Sequence, residues 1–315
     1  MTRLLTMLFM GGLLAGGTWL PRACPANPKM RVTPEWLAAH LDDPHLALLH
    51  VGFDPTDPAA SKRSSYLDGH ILGARQVAWG EIAVTRKGLP NEMPPAESLV
   101  QMLRSLGIDE GDRIILYDTG SGVEAARAYL ALDYVGLGDN AAILDGQWIR
   151  WKMLQLPQSR MSEEVEPSAF QPRLHPEILV SLAAVKDTAW LSQQGDPSVA
   201  LLDARSAEEF SGLRAGKGIF KAGHIAGASS LCWMDTFESM EESLLRSDDE
   251  LSGMFLAAGA RPGAVVTVYC RTGTEAAHLY FLAKYLGYTT RFYDGSYYEW
   301  SREEDLPIRG SWASR

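Results

Sequence analysis

Cys270 ends a β-branched run, Val265-Val266-Thr267-Val268-Tyr269, and opens the turn Arg271-Thr272-Gly273-Thr274 that leads into Glu275-Ala276-Ala277. A strand that delivers a cysteine to the start of a helix surrounds its sulfur with unpaired backbone N–H groups and partial positive charge, which favours thiolate over thiol. Arg271 adds a full charge beside it, and Gly273 lets the backbone close around the sulfur. Such a thiolate can attack phosphorus or a sulfane sulfur. A cysteine phosphatase places an arginine six positions after its nucleophile to grip the equatorial phosphate oxygens, and that position is Ala276. The loop is also short for a phosphate cradle, which leaves sulfur transfer as the better chemistry.

The elements that must hold this turn occur twice. Gly69-His70-Ile71-Leu72-Gly73-Ala74 parallels Gly223-His224-Ile225-Ala226-Gly227-Ala228. Tyr117-Asp118, Glu124-Ala125-Ala126, Asp145-Gly146 and Trp151 parallel Tyr269-Cys270, Glu275-Ala276-Ala277, Asp294-Gly295 and Trp300. Short apolar runs predict strands at 46–51, 113–117 and 141–144, with counterparts at 199–203, 265–269 and 289–293. Helical spacing over 125–134 and 276–285, each followed by a glycine, predicts the helices between them. Thr33-Pro34 reads as a helix cap with proline in the first turn. The expected architecture is α/β, two domains that each hold a mostly parallel sheet flanked by helices, at 31–155 and 177–310. The proline- and serine-containing stretch 156–176 is expected to be the linker.

The scaffold marks survive in both copies and the chemical ones do not. Where the second half has Asp203, Arg205 and Cys270, the first has His50, Gly52 and Asp118. The first domain is therefore expected to be silent, with an aspartate that repels anions, and to wall a cleft against the second. His224, duplicated as His70 in the half without a cysteine, reads as structural. Trp79, Trp233 and Tyr297 are candidates to line the cleft, with core packing as the default.

The chain has 315 residues, 46% of them apolar and 22% charged, as in ordinary globular proteins. A net charge of −10 and the lack of a basic stripe argue against nucleic-acid binding. Arg3, the apolar run from Leu4 to Leu20, and small residues around Ala23 and Ala26 follow the export pattern. A signal peptide over 1–26 is expected, and with it a periplasmic protein with no stable membrane association; a retained anchor or a lipid on Cys24 are the alternatives. Cys232 and Cys270 would then remain, too few for a disulfide framework, and Cys232 reads as packing. A bridge between them would occupy the nucleophile. No Cys or His spacing suits a metal, and no cofactor is expected.

Taken together, Leu202-Asp203-Ala204-Arg205, Gly223-His224-Ile225-Ala226-Gly227-Ala228, Tyr269-Cys270-Arg271-Thr272-Gly273-Thr274 and Tyr293-Asp294-Gly295 ending at Trp300 resemble the tandem rhodanese-type sulfurtransferases of the thiosulfate or 3-mercaptopyruvate group. The resemblance covers nearly everything after the export segment. It implies a Cys270 persulfide formed from a small anionic sulfur donor and discharged to cyanide or a thiol, a protein thiol included. It also implies anion binding by Arg205 and Arg271, a cradle of Thr272, Gly273, Thr274 and Glu275, and Asp203 as organiser of the site; an ion pair with Asp203 or a neighbouring acid is the alternative for Arg205. Glu275 departs from the pattern and is expected to point outward as a helix cap. Arg214, Lys217 and Lys221 are candidates for extra positive charge at the mouth. Thr272 stands where thiosulfate-preferring relatives often have lysine, and Arg271 where mercaptopyruvate-type relatives tend to have a small residue, so thiosulfate fits better. The competing reading is a persulfide carrier or redox partner that loads Cys270 without turnover.

Overall fold

A computed structural model describes residues 25–53 and 66–310. The expected signal segment lies almost wholly outside these residues. Two parallel sheets carry the architecture. In the first, the strands run in the order Arg31–Val32, Ala141–Leu144, Arg113–Asp118, Leu46–Gly52 and Arg75–Ala78. In the second, the order is Thr289–Phe292, Val265–Tyr269, Val199–Asp203 and Ser229–Ser230. A single parallel bridge from Leu179 to Phe292 stands where the first sheet has its edge strand, so both sheets follow one plan. Their central strands are continuous runs of Val, Ile and Leu because helices cover both faces.

The register makes the duplication concrete. His50 pairs with Tyr117, as Asp203 pairs with Tyr269. The Tyr117 hydroxyl accepts from the Ile71 N–H at 2.9 Å, and the Tyr269 hydroxyl from the Ile225 N–H at 3.2 Å. His70 stacks on Tyr66 at 3.7 Å and His224 on Phe210 at 3.6 Å, each with its Nδ1 bonded to that ring's own backbone carbonyl. These histidines brace the turn after the first crossover and face no reacting group. Thr33 caps the helix Pro34–Ala38 by accepting from the Trp36 N–H.

The helices Val123–Tyr134 and Glu275–Tyr285 start at the two cradles and pack against each other. Nearly every residue of both is buried, so each faces its own sheet on one side and the partner domain on the other. Tyr129 meets Phe281 edge-on at 5.1 Å, and the Asp133 carboxylate accepts from the Tyr280 hydroxyl at 2.6 Å. One hydrophobic core consequently runs through both domains. The segment 156–176 is not a free tether: Gln158–Ser159 pairs with His70–Ile71, and Phe170 is buried in the shared core.

Candidate active site

Cys270 follows the last residue of the strand Val265–Tyr269, and its side chain is fully buried. The Gly273 N–H donates to its Sγ at 3.2 Å, and the N–H groups of Thr272 and Ala276 also reach the sulfur. The helix Ser296–Trp300 fixes the loop from behind. Its Tyr297 and Tyr298 N–H groups donate to the carbonyls of Cys270 and Arg271, and the Ser296 hydroxyl oxygen accepts from the Cys270 N–H at 3.3 Å. Gly273 sits at φ +83°, and a Cβ there would meet the Asp294 carbonyl at 3.2 Å, so glycine is required.

Two expectations need correcting here. Glu275 does not cap outward: its Oε2 is buried with no hydrogen-bond partner among the described residues, and its charge bears on the Cys270 thiol. And the resting cysteine is not a ready thiolate. Burial, and then the Glu275 charge, push the thiol pKa up, against the pull of the Ala276 and Thr272 amides.

The cations also sit differently from expectation. Arg205 is buried and grips Asp203 through Nε at 2.9 Å and Nη2 at 2.6 Å; Nη2 also donates to the Gly223 carbonyl, and the guanidinium lies 4.1 Å above the Tyr297 ring. Both residues therefore hold the frame behind the loop, and Arg205 is not free to bind a donor. Its partner, two positions back in the same sequence motif, absorbs the charge. Arg271 does lie at the mouth, about a third exposed, but between two carboxylates, Glu209 at 3.6 Å and Glu275 at 3.9 Å. Arg214 reaches Glu209 at 3.8 Å, whereas Lys221 turns away to the carbonyls of Glu303 and Glu304. Cys232 and Cys270 are both buried free thiols, not bridged.

The silent half shows what the loop's backbone does. The Asp118 carboxyl fills its own cradle: Oδ1 accepts from the N–H groups of Gly120 and Gly122, and Oδ2 from those of Glu124 and Ala125, at 2.8 to 3.2 Å. The expectation of a repelling aspartate is thus replaced by an occupied site. Burial and then Glu124 push the Asp118 pKa up, as burial and then Glu275 do for Cys270, so the charge of a helix-start glutamate bears on the cradle in both halves.

Each cradle is also closed by a hairpin from the other domain, a feature the sequence did not announce. The hairpin Val84–Arg86 and Leu89–Glu92 reaches the active loop. Asn91 Nδ2 donates to the hydroxyl oxygens of Thr272 at 3.1 Å and Thr274 at 3.2 Å, and the Met93 N–H donates to Asp294 at 2.5 Å. Arg127, wholly buried, bonds Asp294 at 3.1 Å and the carbonyls of Asn91, Ile82 and Gly273. In mirror image, Phe237–Ser239 and Leu244–Leu245 reach the silent cradle, where the Ser243 hydroxyl donates to the Gly120 carbonyl and the Leu245 N–H to Asp145.

Glu92, beside Asn91, carries a titration expected to show. Burial, Asp294 and Glu299 push its pKa from an ordinary 4.5 up to about 7, with Arg127 and Arg86 pulling the other way. Its neutral form is favoured in the fold, so the unfolded chain releases its proton first and stability falls as pH rises from about 4.5 through about 7. Glu92→Gln should match wild type near pH 4 and resist urea better near pH 8, roughly either side of that window; equal midpoints at both pH values would contradict the assignment.

The Rhodanese-like domain family matches residues 33–154 and again 187–303, and the chain belongs to it, as one of the tandem rhodanese-type sulfurtransferases. It is 29% identical over 280 residues to the 3-mercaptopyruvate sulfurtransferase of Escherichia coli, covering 88% of this chain and 96% of that one. It is equally identical, 29% over 294 residues, to a thiosulfate sulfurtransferase of Corynebacterium glutamicum, covering 90% and 91%. Among solved structures, an Escherichia coli enzyme described as having the rhodanese fold and the catalytic mechanism of 3-mercaptopyruvate sulfotransferases superposes with a TM-score of 0.71 at 27% identity, covering 84% of this chain and 97% of the other.

Proposed function

We propose that the protein transfers a sulfane sulfur through a persulfide on Cys270, with thiosulfate as donor. The observation that carries this reading is the pair of matching cradles: the silent loop holds an acidic group with four backbone N–H donors, and the active loop offers its own N–H groups to a sulfur. The Cys270 thiol first gives up its proton to solvent or buffer base; the thiolate then attacks the outer sulfur of thiosulfate, the S–S bond of the donor breaks, and sulfite leaves with the electron pair. Cyanide or a thiolate then attacks the outer sulfur of the persulfide. That releases thiocyanate or a new persulfide and returns the Cys270 thiolate. The anion at the end of each step is held by the same amides, so the loop serves both.

Arg271, in place of a small residue, supports thiosulfate over 3-mercaptopyruvate. Glu209 and Glu275 partly offset its charge, which fits a donor held weakly until the cradle takes the sulfur. Thiosulfate and cyanide should give repeated thiocyanate release, with a mass gain of one sulfur on Cys270 when cyanide is withheld; Cys270→Ser should lose both. A single loading without turnover would make the protein a carrier, and no gain with thiosulfate or 3-mercaptopyruvate would end the persulfide reading. The N-terminal pattern around Arg3 and Leu4 to Leu20 supports export to the periplasm, for which fractionation of expressing cells is the check.

A further inference from the structure

We propose that Asn91, on the silent domain, is a positioning residue of the Cys270 cradle, orienting the Thr272 and Thr274 hydroxyls so that their hydrogens face the sulfur and its substrate. A hydroxyl has one hydrogen and two lone pairs. The Asn91 amide donates to both oxygens, at 3.1 and 3.2 Å, so neither hydroxyl hydrogen can point at Asn91. Each is left to be donated elsewhere, and the two threonines flank Gly273, whose N–H donates to the Cys270 sulfur at 3.2 Å, with the Thr272 N–H reaching the same atom. The active cradle would then present side-chain donors in addition to its amides.

Asn91 is held firmly enough to impose that polarity. Its backbone lies at φ +58°, in the left-handed region that asparagine and aspartate tolerate better than other side chains. Its carbonyl accepts from Arg127 Nη2 at 2.8 Å, and the same guanidinium bonds Asp294 and the Gly273 carbonyl of the catalytic loop. The next-but-one residue, Met93, is tied to Asp294 through its N–H. The mirror position is Ser243, at φ +53°, whose hydroxyl donates to a backbone carbonyl rather than orienting hydroxyls. Duplication explains why a hairpin is there; it does not explain an amide aimed at two loop threonines.

The role of the hydroxyls in sulfur transfer rests on the proposed activity, but their effect on the thiol does not, and the test separates the two. Asn91→Asp is isosteric and keeps the backbone conformation, yet a carboxylate accepts the hydroxyl hydrogens and so turns them away from the cradle. Asn91→Ala removes the constraint. The pH dependence of Cys270 alkylation by iodoacetamide, located by peptide mass, is measured beside thiosulfate turnover and the melting temperature. In Asn91→Asp the alkylation profile should move to higher pH by about one unit, with kcat down about tenfold and the fold retained. Asn91→Ala should fall between it and wild type. Wild-type alkylation and kcat in the folded Asp variant would overturn the proposal, as would a loss of stability with no shift in the profile. If wild type itself does not turn over, the sulfur-transfer reading fails, and the alkylation profile still decides the role of Asn91.

Discussion

Replacing Asp118 by alanine is expected to lower the stability of the fold by on the order of 3–5 kcal/mol, although the residue has no part in the chemistry. The carboxyl is buried and accepts from four backbone N–H groups of its loop, two to each oxygen. Truncation strands all four donors at the start of a helix that is itself packed between the domains. Against a typical total of about 5–15 kcal/mol, such a loss is a large share. Asp118→Asn should also cost stability, because its amide can satisfy two of those N–H groups with oxygen but must turn N–H₂ toward the other two. Urea denaturation followed by tryptophan fluorescence measures both. An alanine variant within about 1 kcal/mol of wild type would mean that the carboxyl does not organise the loop.

The second large effect is expected in reactivity. Burial raises the Cys270 thiol pKa most, and the Glu275 charge beside it raises it further. Glu275→Gln removes the charge and leaves the amide cradle and the helix start in place, so thiolate forms more easily. A fall of one unit in the thiol pKa raises the thiolate fraction near pH 7 about tenfold, and alkylation of Cys270 should speed up by at least that factor. Arg271 also loses one of its two carboxylate neighbours, so the KM for thiosulfate should fall together with the pKa. Slower alkylation in Glu275→Gln would show instead that the carboxylate is needed to receive the thiol proton.

Much of this frame was legible because local pattern and global fold agree. The strand runs 46–51, 113–117 and 265–269 were placed to within a residue, and the helix pair 125–134 and 276–285 to within two. The pairing of His50 with Asp203 and of Asp118 with Cys270 as equivalent positions also stands in the register. What failed was side-chain direction. Arg205 is expected to bind the donor, with an ion pair to Asp203 as the alternative, and the sheet sets the two side by side, where a buried charge takes the nearest carboxylate. Glu275 at a helix start has an ordinary outward role in sequence, and only the closeness of the cradle reverses it. Asn91 and Arg127 carry no local sign at all. Their meaning comes from a contact between residues far apart in the chain, across an interface that composition does not describe.

The exchange of hairpins bears on why an inert half accompanies an active one. Without the first domain, the loop that bears Cys270 would lose Asn91, Arg127 and the Met93 N–H, and the helix behind it would show solvent a face built for contact. Without the second, the silent loop would lose Ser243 and Leu245. The first copy carries Asp118 where the second carries Cys270, yet the crossed hairpins make each copy a part of the other's architecture. A copy tied in this way can drift in its own site and still not be discarded.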